Sequence, residues 1–429
     1  MFIHAGIILG VMVVVFVAAT LLKVSIELSM LIAAVAGAIA HGVAFPARHV
    51  VEGAFTYFDV TLIFITATLF MNLLKEAGGV SYIVRAIISR FYRNRVVLLL
   101  LLTFILLVPG ALTGAGSVTV LIVGAMVGNV LTYMGISKDR VAAIVFLCAA
   151  MSAAAPPINL WAMMTAAGSN MPYVGFTLPL AVITILGALF AMFYLGWKGT
   201  PISVERALAE LPEPPKGMNG FKVAAPFVIF LGLVLAGRVF PFAMPVIGLP
   251  LAFLISAGVT VLLSPKRLPI FKISCETVEN LLPLIGTLTV VGILVQSMAL
   301  TGARGLISLS VVTMPILVIF ATLFLVLPIS EGVLQYGAAP LLGVPLIFLF
   351  NMKGLDPIIA LAGMATIWPL GDALPPTTLV GRAAVMTVGY DGPYYQGFLK
   401  RCIVPALFIA ALGTVYVVFS NALSFLVAG

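Results

Sequence analysis

Apolar stretches of roughly 17 to 25 residues, each closed by a short polar or basic interval, recur along the chain, and at 1.5 Å per residue each can cross a hydrocarbon core about 30 Å thick. The pattern predicts spans near residues 4–22, 27–45 and 55–74, a hairpin over 96–134, a broken helix over 140–170 and a span at 175–197. A second series follows: spans at 222–241, 246–264 and 281–299, a hairpin over 311–350, a broken helix over 356–389 and a span at 402–425. Each hairpin returns to the side it left, so the series predict ten crossings, five in each half. Apolar runs such as residues 96–108 do not alternate, which excludes the short strands of a membrane β-barrel.

The two series share an unusual detail. Gly135-Ile136 begins 21 residues before Pro156-Pro157, and Gly354-Leu355 begins 21 residues before Pro375-Pro376, a displacement of 219 in both cases. Upstream, Leu107 to Ser117 (LVPGALTGAGS) is echoed by Leu325 to Gln335 (LVLPISEGVLQ). Downstream, MPYVGF from Met171 is echoed by GPYYQGF from Gly392. Proline pairs that break apolar helices at matching places in two halves are expected of a transporter built from paired repeats. The predicted fold is an all-α integral membrane protein with repeats at 1–197 and 222–429, joined by a cytoplasmic linker at 198–221.

Composition agrees: 62% of residues are hydrophobic, only 8% are charged, and the mean hydropathy is +1.25. So few polar side chains cannot cover a water-facing surface. The net charge of +8 reflects topology rather than nucleic acid binding. With the N-terminus outside, 17 of the 22 basic residues fall on the cytoplasmic side, among them Lys75, Arg85, Lys138, Arg140, Lys198, Lys400 and Arg401. Five crossings per half then invert one half relative to the other. The first apolar segment has no basic stretch before it and is longer than a signal-peptide core, so it is expected to be a membrane helix. Residues 81–95 read as a basic interfacial helix, with a counterpart at 264–280 or just after Gly302. The linker reads as a solvated connection. Cys148, Cys275 and Cys402 and His4, His41 and His49 lack metal-ligand spacing, and no cofactor beyond a coupling ion is expected.

Irregular backbone at membrane depth is tolerated only where it is buried in protein or lines a wet cavity, so the interruptions locate the candidate site. Thr113, Gly114, Gly116 and Ser117 form the first hairpin tip, and Pro156-Pro157 with Asn159 forms the first break. Ser330, Glu331 and Gly332 form the second tip, and Asp372, Pro375-Pro376, Thr377 and Thr378 form the second break. Proline frees carbonyls one turn back, and such oxygens together with hydroxyls suit a hard monovalent cation such as sodium. The resumed half-helices offer free amides to an anion, so Asn159, Thr377 and Thr378 are expected to hold an anionic substrate. Glu331 and Asp372 are expected to ligate sodium or carry a proton, because a charge at this depth is rarely idle. Arg382 is a candidate bidentate partner for a substrate carboxylate, with snorkelling as the alternative.

The TGAGS hairpin, the Gly135-Ile136-Ser137 segment, the Gly354-Leu355-Asp356-Pro357 segment and the two proline pairs resemble the large membrane subunit of tripartite ATP-independent periplasmic (TRAP) transporters, over almost the whole chain. The resemblance implies membership of the ion transporter superfamily, an elevator motion, and sodium-coupled or less often proton-coupled import of organic anions such as dicarboxylates, keto acids or sialic acid. It also implies a bacterial inner membrane, a small four-helix membrane subunit and a periplasmic substrate-binding protein as partners. Gly114, Gly116 and Ser117 match the family's small-residue hairpin tip, and both proline pairs match its helix breaks. Ile158-Asn159, Thr377-Thr378 and the acid Glu331 depart from the family pattern. A self-sufficient carboxylate carrier of the same superfamily is the alternative. Gly371-Asp372 and Tyr390-Asp391 resemble the aspartates of an intramembrane protease, but in reversed order. Metalloprotease, serine hydrolase and phosphate-loop motifs are absent, so an enzyme is not expected.

Overall fold

In the computed structural model, residues 2–198, 208–209, 211–240, 245 and 247–427 are described. These residues form helices and connecting turns, with no strand among them. The first half contains α1 (Phe2–Leu21), α2 (Ile26–Ala40), α3 (Ala47–Phe55), α4 (Phe58–Glu76) and α5 (Gly79–Phe91). The hairpin α6 (Arg95–Thr113) and α7 (Gly116–Tyr133) follows, then α8 (Lys138–Ala154), α9 (Leu160–Gly168) and α10 (Thr177–Gly196). The second half runs α11 (Gly220–Val239), α12 (Leu249–Leu263), α13 (Ile270–Leu300) and α14 (Ala303–Thr313). It ends with the hairpin α15 (Ile316–Leu334) and α16 (Ala339–Met352), then α17 (Pro357–Ala373), α18 (Leu379–Val388) and α19 (Tyr394–Val418). Asn94, Asn159, Asn219 and Asp356 start their helices with a side-chain oxygen that accepts from a free first-turn amide.

The elements recur at nearly constant displacement. α1 and α11 have 20 residues each, and α2 and α12 have 15 each. A π-helical turn at Val120–Gly124 is matched by one at Ala339–Gly343, and both proline pairs contain a cis bond. Packing is reciprocal as well. α2 lies against α13 while α12 lies against α4; α9 meets the π turn of α16 while α18 meets the π turn of α7. α8 pairs with α10 as α17 pairs with α19. Exchanging the halves leaves these pairings unchanged.

The halves differ where α3 and α4, separated at Thr56 and Tyr57, correspond to the single 31-residue α13. α3 approaches α13 through Gly53 and Gly292: a Cβ on Gly53 would stand 2.5 Å from the Ile293 Cα, a distance no side chain survives. α13 begins at Ile270, eleven residues before the predicted span, so residues 270–280 belong to a long helix, and the short helix after Gly302 is α14. The linker is less solvated than its composition suggests. Arg85 on α5 donates to the carbonyls of Leu208 and Leu211, at 2.9 and 2.8 Å, and Leu211 is buried. Linker residues 199–207 and 210 lie outside the described residues.

Nine of the described helices are long and apolar enough to cross a membrane. Their outward faces carry apolar side chains with no protein cover, such as Leu317 and Phe271, 76% and 85% exposed. An aqueous surface of that kind would be an aggregation site, whereas lipid is a compatible solvent. The chain reads as a multi-pass membrane protein.

Candidate functional site

The first hairpin tip and the first break close on each other with the buried side chains of Thr113, Ser152 and Asn159 all hydrogen-bonded. α6 carries Pro109 and ends at Gly114 with φ of +74°, a left-handed conformation that glycine adopts without a side-chain clash. The chain turns through Ala115 and resumes at Gly116, whose bare Cα lies against the Ala149 carbonyl. Thr113 donates back to the Pro109 carbonyl at 2.8 Å. Ser152 on α8 donates to the Leu107 carbonyl at 2.7 Å and lies 2.8 Å from the Thr119 hydroxyl. Across the break, the Ile158 amide donates to the Ala111 carbonyl at 3.1 Å. Asn159, fully buried, donates through Nδ2 to the Ala154 carbonyl and accepts through Oδ1 from the Ala162 amide, at 2.8 and 2.9 Å. Its amide therefore splices α8 to α9.

The second tip and break have the same backbone plan with different side chains. The Thr377 amide donates to the Gly332 carbonyl at 3.3 Å, the counterpart of the Ile158 bond. Gly371 presses against the Pro328 carbonyl and the Glu331 Cβ. The Glu331 side chain is 0% exposed, and neither carboxylate oxygen has a hydrogen-bond partner. Asp372, 6% exposed, is close enough for the two charges to interact, and it has no ion pair or hydrogen bond among the described residues. The Trp161 indole, from α9 of the first half, lies beside Glu331 without hydrogen-bond alignment. Its ring centroid is 5.0 Å from that of Tyr336. The buried Thr378 hydroxyl is unpartnered, and its backbone has φ of +47°, an outlier for a β-branched residue. Gln335, just past α15, also has positive φ, at +51°. Unpaired buried polar atoms and left-handed backbone gather where a binding site stores strain.

Gln335, Tyr336 and Asp372 border a cavity of about 90 Å³ whose polar wall is completed by Glu27, Ser117 and Thr287. Glu27 comes from α2, Thr287 from α13 and Ser117 from the first tip, so both halves contribute. The Thr287 hydroxyl lies 3.2 Å from Glu27 Oε1, 3.4 Å from Gln335 Oε1 and 3.0 Å from the Pro283 carbonyl. One proton cannot serve three acceptors, so carboxylate and amide oxygens remain free to bind another species. Leu379 and Val380 also border the cavity, which brings the first turn of α18 and its free amides to the site. A larger cavity of about 280 Å³, bordered by Met71, Phe104, Pro109 and Phe227, has no polar group to fix a hydrophilic ligand.

Ser117 and Asp372 are therefore on the cavity and Glu331 is buried close to Asp372. Thr113, Gly114, Gly116 and Gly332 belong to the two tips but do not line the cavity. Ser330 bonds back to the Leu327 carbonyl at 2.7 Å, and Thr377 lies 3.5 Å from the Leu374 carbonyl. Pro156 is half-buried and Pro375 exposed. Arg382 points to the exterior and makes no ion pair among the described residues. Glu27, Thr287 and Gln335 are additions that sequence reasoning did not single out. One signal was present: Glu27 is the sole charge in α2. Among the described residues no three His, Cys, Asp or Glu side chains converge as a transition-metal site would need.

No protein-family model and no curated protein matches the chain. A solved structure of MtrF from Neisseria gonorrhoeae, described as illuminating a class of antimetabolite efflux pumps, is similar with a TM-score of 0.48. The two are 14% identical over 85% of this chain and 83% of that one, a likeness too slight to carry a functional argument.

Proposed function

We propose that the chain is a secondary active transporter that imports small organic anions with a cation, sodium or a proton. The observation that carries this reading is the junction of the second hairpin and the second break. Glu331 and Asp372 lie there without a basic partner, Asp372 on the wall of a small cavity that also reaches the amide end of α18. An unpaired carboxylate at this depth requires a proton or a bound cation, and the surrounding oxygens are hard ligands for a cation. An anion would bind to that cation and to the first turn of α18.

The recurring elements support a division into repeats at 1–197 and 222–429, and the distribution of basic residues supports their inversion. In this reading the hairpins and broken helices form a moving unit. It slides as an elevator against α1–α4 and α11–α13, so Glu27 and Thr287 would contact the cation in one position only. The finer assignment is the large membrane subunit of a TRAP system in a bacterial inner membrane, with a small four-helix subunit and a periplasmic binding protein as partners.

The test is uptake of labelled dicarboxylates, keto acids and sialic acid into proteoliposomes, with sodium or proton gradients imposed separately. Gradient-driven uptake by the chain alone supports the transporter and argues against the tripartite assembly. Uptake only after both partners are added supports the full proposal. Equal flux with and without a gradient in every arrangement refutes coupling.

A further inference from the structure

A second polar concavity, remote from the acids, lies where α8, α10 and α19 meet. It has a volume of about 250 Å³, and Arg140, Lys198, Lys400 and Arg401 border it together with Tyr194 and Val404. The four cations come from three separate places in the sequence. Arg401 is held by Asp139, Nε to Oδ2 2.6 Å, which fixes its guanidinium at the rim. Arg140, Lys198 and Lys400 have no ion pair among the described residues. Four cations with one acid, Asp139, among them keep a positive excess, and binding an anion lowers their mutual repulsion.

The surroundings identify the anion's other end. Tyr194 and Trp197 are 51% and 56% exposed, as aromatic side chains at the headgroup level of a bilayer are. Along α19, Ile403, Val404 and Leu407 continue from the basic rim as an uncovered apolar strip. A phosphate above an acyl-chain track is the chemistry of a phospholipid, and a soluble phosphate would have no use for the track. We propose that this concavity seats the headgroup of an anionic phospholipid, its phosphodiester on Arg140, Lys198 and Lys400 and its acyl chains along α19. The site rests on the bilayer placement of the chain and is independent of the transport reading.

The test is native mass spectrometry of the whole chain released from nanodiscs of equimolar phosphatidylglycerol and phosphatidylcholine. The wild-type chain is expected to retain phosphatidylglycerol in preference, and R140Q/K198Q/K400Q to lose at least about tenfold in that retention. A control of the same charge change elsewhere, K216Q/K222Q/K272Q, is expected to keep the preference. Equal retention by R140Q/K198Q/K400Q would overturn the site, and equal loss in the control would reduce it to bulk charge. Displacement by inorganic phosphate, compared with chloride at matched ionic strength, would make the occupant a free anion and overturn the lipid assignment. Absence of gradient-driven uptake by a wild-type chain that retains phosphatidylglycerol would count against the proposed function alone.

Discussion

The two hairpin-and-break units are built on one backbone plan and differ in what they leave unsatisfied. In each, an amide just past the proline pair bonds to a carbonyl of the hairpin: Ile158 to Ala111, and Thr377 to Gly332. In the first, Ser152 and Asn159 bond carbonyls and an amide freed by the irregular backbone. At the equivalent places, 219 residues on, stand Gly371 and Thr378, and Asp372 replaces Ala153. Pro328, the echo of Gly110, lies against Gly371 as Gly110 lies against Ser152, and Glu331 packs beside it. One break is thus spliced by side-chain hydrogen bonds and the other leaves buried carboxylates unpaired. The irregular backbone occurs twice, and side chains decide which occurrence keeps unpaired groups.

That division predicts effects of different kinds. The largest falls on transport: E331Q/D372N should reduce gradient-driven uptake in proteoliposomes to background while yield and melting temperature hold, since removing unpaired charges from a low-dielectric interior costs no stability. Retained coupling would move the ion site elsewhere. Next, Asn159→Ala should lower unfolding stability by about 3 kcal/mol, because the Ala154 carbonyl and the Ala162 amide lose their buried partner. A thermal melt in detergent reads it; an unshifted melt with lost uptake would make Asn159 a substrate ligand after all. Third, Gly371→Ser, which imports the first half's residue, should destabilise by about 2 kcal/mol through overpacking. A Cβ there would lie 2.7 Å from the Glu331 Cβ and 2.9 Å from the Gly332 amide. If Gly371→Ser is tolerated, the hairpin stands off from the break and the cavity is looser than described.

How much of this was legible in the sequence follows from locality. Proline pairs and glycine tips break helices through their own covalent structure, so both hairpins and both breaks stood out without any tertiary information. Ser117 and Asp372 came with them. Glu27 and Thr287 did not, because they are 260 residues apart and meet only through the packing of α2 on α13. Asn159 beside two prolines read as a ligand, but a polar side chain there can equally hold the splice, and only the positions of Ala154 and Ala162 decide. Arg382 could not be assigned a face from spacing because the break resets the helical phase. The long α13 hid its first turns for a different reason: residues 270–280 carry Lys272, Glu276 and Glu279, and their charge reads as a separate interfacial segment until the structure shows one continuous helix.

The smallest effect discriminates most finely, because its sign is unusual. Thr378 has left-handed backbone, φ +47° and ψ +21°, whereas its counterpart Asn159 is extended, φ −125°. A β-branched residue in that conformation is strained by about 1 to 2 kcal/mol, and glycine relieves the strain at an entropic cost of about 0.5 to 1 kcal/mol. Thr378→Gly is therefore expected to stabilise the chain by about 0.5 kcal/mol, since the hydroxyl it removes has no partner to lose. Asn159→Gly should destabilise, because it removes two hydrogen bonds and relieves no strain. If the protein retains its strained threonine for the site, Thr378→Gly should also weaken uptake while raising the melting temperature. A Thr378→Gly variant as destabilised as Asn159→Gly would show that the second break is a splice like the first, and the distinction between the two units would fall.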